Sequence, residues 1–226
     1  VSQLALHFER AGMVDEAINY YRQAGERAMQ MSANAEAILH FNKSVDLLKT
    51  LPPSPERDKR ELAMQFALAG PTIAIHSWGA PEALQIYDRT MELSQALNDT
   101  SNFLQVMIQK QSALTTHAEH RAALELAEQC EPIVQQGEDP THILLGHQIL
   151  GVTCMFVGEF ARSLRHLQQL MVYYDRDTHH PLAFVLGQDP AINSFLWRFY
   201  DLWYLGYPDQ ALRRSQEGMV LAQELG

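Results

Sequence analysis

The sequence lacks most of the features that mark β structure, disulfide frameworks and membrane spans. It contains no Asn-Gly or Asp-Gly hairpin turn and no run of alternating β-branched residues, so we expect no β-sheet. Its two cysteines, Cys130 and Cys154, form no Cys-X-X-Cys pair, so neither a disulfide framework nor a zinc site is expected. We interpret both as buried free thiols in a reducing cytoplasm. No apolar run reaches about 18 residues, which predicts no transmembrane helix.

Basic residues are also scarce. The chain has 27 acidic and 17 basic residues and a formal net charge of -10. Phosphate binding requires concentrated Lys and Arg, so nucleic acid and anionic membrane surfaces are disfavoured as partners. The opening VSQLALHFERAG is not a secretory signal. We expect an internal fragment of a longer cytoplasmic protein.

Helical spacing of apolar residues dominates almost the whole chain. We predict an all-α fold of about 11 helices, over residues 2–11, 14–31, 34–51, 56–75, 81–97, 101–117, 120–136, 141–157, 159–174, 190–205 and 208–225. Gly70-Pro71 predicts a kink or an early stop inside the fourth helix. The longest irregular stretch is DRDTHHPLAFVLGQDP, residues 175–190.

A small residue followed four positions later by a bulky one recurs along these helices. Such a pair lets a neighbouring helix approach closely and fills the groove one turn later. The clear copies are Ala17/Tyr21, Ala37/Phe41 and Ala83/Tyr87, and the weaker ones are Ala123/Ala127, Ser163/Leu167 and Ala211/Ser215.

Two further similarities define the type of repeat. HQILGVTC has Leu150 and Gly151 at the spacing of the tetratricopeptide (TPR) helix-A signature, with His147 and Cys154 in place of the usual aromatics. WYLGYPDQAL repeats the order of MFVGEFARSL, which makes Gly158 and Gly206 hairpin corners and puts Pro208 at a helix start.

The predicted architecture is therefore a TPR-like superhelix of antiparallel helix hairpins. We treat residues 1–226 as one repeat domain with sub-blocks of about 1–51, 56–98, 101–137, 141–175 and 189–226. Ala83, Ala123 and Ser163 are spaced by 40 residues, longer than the roughly 34 of a standard TPR unit. A HEAT-like stack remains the structural alternative.

Two long blocks resemble a known family. They are LALHFERAGMVDEAINYYRQAGERAMQMSANAEAILHFNKSVDLLKTLPPSPERDKRELAMQFAL and the region from GEFARSLRHLQQLMVYYD to LGYPDQAL, with GQDP as a specific element. The chain resembles the C-terminal TPR array of large bacterial multidomain signalling ATPases. Many members begin with an adenylate/guanylate cyclase domain, which is followed by an AAA-type or STAND-type ATPase domain. The resemblance implies that this chain is the helical array alone.

Catalysis and metal binding are not expected. No Walker loop, cyclase metal-binding pair, GxSxG or HExxH is present, and no cofactor is predicted. Asp175, Asp177, His179 and His180 gather in one short stretch, but a solvated loop explains this composition better than a metal site. Packing explains His142, His147 and His166 better than metal ligation.

The candidate binding residues lie on the first helices of the last two hairpins. In a TPR pair, one side of this helix lines the concave groove, and aromatic residues with polar tips suit partner recognition. These offsets select Gln148, Met155, Phe156, Asn193, Tyr200, Trp203 and Tyr204. The alternative is that the aromatic members pack against a further repeat.

Two functional classes follow. The first is a non-catalytic interaction scaffold that binds a protein or peptide partner, such as the ATPase domain of the same protein. The second is a small-molecule sensor that controls a linked ATPase or cyclase. Self-association through an exposed end repeat is a further expectation.

Overall fold

A computed structural model of the chain describes residues 1–225, except the side chain of Val185. These residues form helices and connections with no strand. The helices are α1 (Ser2–Arg10), α2 (Val14–Gln30), α3 (Asn34–Thr50), α4 (Pro55–His76), α5 (Pro81–Ala96), α6 (Thr100–Thr116), α7 (His120–Ala127), α8 (Glu131–Gln136), α9 (Pro140–Phe156), α10 (Phe160–Tyr173), α11 (Arg176–His179), α12 (Ala183–Leu186), α13 (Pro190–Tyr204) and α14 (Pro208–Leu225).

The all-α prediction is confirmed, with three local differences. The helix predicted over 120–136 is interrupted by a 3-10 turn, Glu128–Cys130, because Pro132 lacks the N–H that would continue the α-helical pattern. The stretch 175–190 is less irregular than predicted, since it holds α11, a 3-10 turn and α12. The early stop at Gly70-Pro71 is wrong, because α4 continues to His76 with Pro71 buried inside it.

The chain divides into two compact units within α6, Val1–Val106 and Met107–Gly226. In unit 1, helices that follow one another in sequence, from α1 to α5, pack on each other. The centre of its core is formed by buried side chains of α2, α3 and α4: Ile18, Ala28, Ala37, Phe41, Val45, Leu48, Met64 and Leu68.

Unit 2 contains two helix hairpins, α9/α10 and α13/α14, with α10 packed on α13. Close packing of the first hairpin depends on Gly151. A Cβ added there would lie 2.7 Å from Leu167 Cγ, so a larger residue would force the two helices apart.

The small residues of the sequence repeat are among the most buried in the chain. Each has no exposed surface: Ala17, Ala37, Ala83, Ala123, Ser163 and Ala211. Their bulky partners Tyr21, Phe41 and Tyr87 are also buried. The repeat therefore coincides with sites of close helix contact in both units.

The two hairpins of unit 2 begin and turn in the same way. Asp139 and Asp189, each followed by Pro, cap α9 and α13, and each Oδ1 accepts hydrogen bonds from two backbone N–H groups. At the corners, Gly158 and Gly206 have φ of +85° and +86°. Around Gly206, the backbone N–H of Tyr207 donates to the carbonyl of Leu202 at 2.8 Å, as in a Schellman motif.

Candidate ligand cleft

Unit 2 contains a cleft of about 250 Å³ between α6, α9, α13 and the connection that precedes α13. Its walls combine aliphatic, aromatic, hydroxyl and carboxamide side chains. The lining residues are Ile108, Gln111, Ser112, Thr115, Thr116, Gln148, Ile149, Val152, Phe156, Leu186, Gln188, Asn193 and Trp197.

Four buried polar atoms of these lining residues have no hydrogen-bond partner among the described residues. They are Gln111 Nε2, Gln148 Oε1, Asn193 Oδ1 and Trp197 Nε1. Gln111 and Gln148 are only 3% and 5% exposed. An unpaired buried polar group costs about 1–3 kcal/mol, so these four side chains are the candidates for hydrogen bonds to an occupant of the cleft.

The cleft is uncharged, because none of its described lining residues is ionisable. The hydroxyl groups of the lining already donate hydrogen bonds to backbone carbonyl groups of α6. Ser112 Oγ donates to the carbonyl of Ile108 at 2.9 Å, and Thr115 Oγ1 donates to that of Gln111 at 3.0 Å. Recognition therefore falls to the carboxamide groups and the Trp197 indole.

One wall of the cleft comes from the connection between the two hairpins, which contributes Leu186 and Gln188. Asp189 anchors the end of this connection, since its Oδ2 accepts from Tyr174 Oη and lies 2.9 Å from His180 Nδ1. Burial, followed by the hydrogen bond to Asp189, raises the pKa of Tyr174 above its usual value. Tyr174 therefore remains the neutral donor at any ordinary pH.

A second anchor holds the start of the connection. The backbone N–H of Asp175 donates to His179 Nδ1 at 2.8 Å, so the ring proton is on Nε2, which donates to Thr141 Oγ1 at 3.1 Å. Asp175, His179 and His180 thus have structural partners. Across the described residues, no group of three or more His, Cys, Asp or Glu is arranged to hold a metal ion.

The structure brings three of the predicted groove residues, Gln148, Phe156 and Asn193, into the cleft. Met155, Tyr200, Trp203 and Tyr204 are not among its lining residues. Trp203 and Tyr204 are both 58% exposed, and Tyr204 stacks on Phe160 with ring centroids 4.7 Å apart. Partner binding by any of these seven residues stays a prediction.

Aromatic rings continue from the cleft along α13. Trp197 lies edge-on to Phe156 at 5.1 Å between centroids and reaches Tyr200 at 5.9 Å. Phe199 in turn contacts Tyr200 and Trp203, at 5.1 Å and 6.4 Å. The rings link the cleft to the exposed end of the helix.

Sequence reasoning missed three of the residues available for recognition in the cleft, Gln111, Gln188 and Trp197. The available signal for Gln111 was its spacing of three or four residues from Met107, Ile108 and Leu114, which puts it on an apolar face of α6. The other two carried none, because Gln188 depends on the path of the connection and Trp197 is not at one of the groove offsets of a TPR helix.

Two groups with shifted pKa values lie in the same unit. His147 and His166 are joined through their Nδ1 atoms at 3.0 Å, and burial lowers the pKa of His147 to about 4. Asp201 is fully buried and accepts from Ser163 Oγ at 2.6 Å, while burial raises its pKa to about 7. At neutral pH the histidine pair is therefore uncharged, and Asp201 is near its titration midpoint.

Unit 1 has a cleft of different chemistry, about 340 Å³ in volume, between α3, α4 and α5. Its lining includes the ionisable residues Asp46, Lys49, His76, Glu82 and Arg89. Arg89 also binds the buried Glu61 through two hydrogen bonds of 2.7 and 2.9 Å. This cleft is therefore ionic, in contrast to the uncharged cleft of unit 2.

No protein-family model and no curated protein matches the sequence of this chain. Its backbone is similar to two groups of solved structures. The nearly identical TPR-like repeats of a Podospora anserina protein assigned as a kinesin light chain match with a TM-score of 0.62 at 15% identity, over 92% of this chain and 95% of that one. A second structure of the same repeats, with one residue substituted, matches with a TM-score of 0.63 at 16% identity.

The second group is represented by a Rap protein complexed with competence and sporulation factor. It matches with a TM-score of 0.61 at 13% identity, over 95% of this chain and 59% of the Rap chain. At these identities the comparisons establish the fold alone. The chain has a TPR-like helical repeat fold, as predicted, and the HEAT-like alternative is disfavoured.

Proposed function

We propose that this chain is a non-catalytic protein-interaction module whose unit 2 cleft binds a short segment of a partner protein. The observation that carries the proposal is that four residues lining one cleft each have a buried polar atom without a hydrogen-bond partner. Main-chain and side-chain amides of a bound segment would supply the missing partners. The gain on binding would include removal of the desolvation cost that these atoms bear in the free protein.

The comparison with the Rap protein supports a binding role. That protein shares this fold and is complexed with competence and sporulation factor. In this chain, the aromatic rings from Trp197 to Trp203 would extend the contact beyond the cleft, because aromatic side chains supply much of the binding energy at protein interfaces.

The alternative function is a small-molecule sensor that controls a linked ATPase or cyclase. Its support is the same set of polar groups. At about 250 Å³, however, the cleft lies below the roughly 300–1,000 Å³ of pockets that enclose drug-sized ligands. A side chain and its neighbouring amide fit this volume, whereas a drug-sized ligand exceeds it.

We extend the proposal to the biological setting that the sequence resemblance implies. The chain would act in the cytoplasm as the regulatory repeat region of a bacterial signalling protein with ATPase and cyclase domains. The bound segment would come from a partner or from the ATPase domain of the same protein.

Peptide selection tests the function directly. A phage library of random peptides is selected on the whole chain, and the enriched peptides are measured by calorimetry on variants. Gln148→Leu and Trp197→Phe should each raise Kd by about tenfold, the cost of roughly one lost hydrogen bond to a buried group.

Trp78→Phe is the matched control, because it changes an exposed tryptophan of unit 1 that belongs neither to the cleft nor to the aromatic rings of α13. Equal affinity in all three variants would place the binding site elsewhere. An empty selection together with thermal stabilisation by a metabolite would favour the sensor.

A further inference from the structure

We infer that the unit 2 cleft selects an uncharged carboxamide, such as a glutamine or asparagine side chain, over the corresponding carboxylate. The inference rests on the proposed function, since it names the chemical class of the segment that the cleft takes. It depends on the kinds of atoms left unpaired and on the absence of charge from the described lining residues.

The unpaired atoms comprise two donors and two acceptors. Gln111 Nε2 and Trp197 Nε1 donate, while Gln148 Oε1 and Asn193 Oδ1 accept. A carboxamide offers both kinds of group, with two N–H donors and a carbonyl oxygen with two lone pairs. A carboxylate offers only acceptors, so it would leave Gln148 Oε1 and Asn193 Oδ1 unpaired or facing another oxygen.

The orientation of Asn193 is fixed by its own partner. Its Nδ2 donates to Gln188 Oε1 at 3.0 Å, which leaves Oδ1 as the unpaired end of the amide. A ligand carboxylate therefore gains no donor from Asn193 unless this bond breaks. The contact also gives the connection between the hairpins a part in ligand selection.

Charge adds a second reason for discrimination. A carboxylate entering this cleft would lose hydration and meet no counter-ion among the described lining residues. The cleft of unit 1, by contrast, carries Lys49, His76 and Arg89 together with Asp46 and Glu82. Cationic groups are thus present in the lining of the unit 1 cleft and absent from the described lining of the unit 2 cleft.

The test uses an isosteric pair of probes, N-acetyl-glutamine methylamide and N-acetyl-glutamate methylamide, with the whole ¹⁵N-labelled chain at about pH 7.5, where the glutamate side chain is ionised. The signal is the indole N–H resonance of Trp197, which Trp197→Phe identifies among the three tryptophans. The exposed Trp203 serves as an internal control on the same helix.

We expect the glutamine probe to move the Trp197 resonance in a saturable way and to leave Trp203 unchanged. The glutamate probe should require at least about tenfold higher concentration for the same shift. Gln148→Leu should weaken the response to the glutamine probe, whereas Gln168→Leu, on the exposed side of α10, should leave it unchanged.

Equal responses to the two probes, or no response of Trp197 to glutamine, would overturn the inference. Failure of the proposed function can be distinguished from failure of the carboxamide preference. Selected peptides that use the cleft but bind through acidic residues would leave peptide binding intact and refute only the carboxamide preference. A glutamine response without any peptide binding would refute the proposed function and leave the carboxamide preference intact.

Discussion

The histidine pair of unit 2 makes the stability of the folded chain depend on pH through a single buried hydrogen bond. The His147 and His166 rings meet through their Nδ1 atoms, so one ring donates and the other accepts. Burial is the main reason why both pKa values are lowered, and Tyr173 stacks on His147. Protonation of the accepting ring would remove the bond and introduce a charge into the core.

This geometry predicts a loss of stability in acid. The pKa of His147 is about 4 in the folded chain and about 6.5 when unfolded, so between these values the unfolded chain binds more protons. The stabilisation is complete above about pH 6.5 and is lost as pH falls through 4. The difference corresponds to about 3 kcal/mol for this residue. Thermal unfolding between about pH 7 and pH 4.5 should show the decline, and His147→Gln should flatten it.

The control for this prediction is His117→Gln, which alters an exposed histidine after α6. It should reproduce the slope of the unmodified chain. A His147→Gln profile as steep as that of the unmodified chain would show that other groups cause the acid loss.

At the scale of elements, the hairpin corners depend on backbone conformation more than on packing. Gly206 has φ of +86°, and a Cβ added there would meet nothing within 4 Å. The requirement for glycine at this position is therefore conformational. The next residue, Tyr207, carries the hydrogen bond that closes the end of α13.

Gly206→Ala should therefore destabilise the last hairpin by about 1–2 kcal/mol, the cost of left-handed backbone for an L-residue. Chemical denaturation followed by circular dichroism should show a lower midpoint. Gly70→Ala is the matched control, because Gly70 is an exposed residue inside α4 without positive φ. It should stabilise by up to about 1 kcal/mol, since alanine is the better helix former. Equal effects of the two substitutions would rule out the conformational explanation.

For the whole molecule, the pH profile of unfolding should have opposing contributions. The folded-state pKa of Asp201 is about 7, mainly through burial, and exceeds the usual value of about 3.9 for an unfolded aspartate. Its contribution is fully present below about pH 4 and is lost as pH rises through 7. Asp201→Asn should therefore raise the melting temperature at about pH 8, with little change at about pH 4, because an amide oxygen still accepts from Ser163.

Asp209→Asn, at the exposed start of α14, tests whether loss of any negative charge explains the effect. It should shift the melting temperature similarly at both pH values. If Asp201→Asn raised the melting temperature by the same amount at both pH values, the titration assigned to Asp201 would be contradicted.

Periodicity was sufficient to predict the helices, because each must bury one apolar face at about 3.6-residue spacing. The positions of Ala17, Ala83 and Ala211 at helix contacts could also be predicted from the sequence, because close helix crossings require small residues. The cleft was less accessible to sequence reasoning. Gln148, Phe156 and Asn193 follow from helix offsets, but Gln188 reaches the cleft only through a connection whose course Asp189 fixes.

That connection has a consequence for how binding preferences would diversify. His179 and Asp189 hold its two ends in place, while Leu186 and Gln188 line the cleft. The anchoring side chains are thus different from the lining side chains. We therefore expect that substitutions of Leu186 and Gln188, with Gly187 retained because its φ is +79°, would change ligand preference and leave the helical frame unchanged.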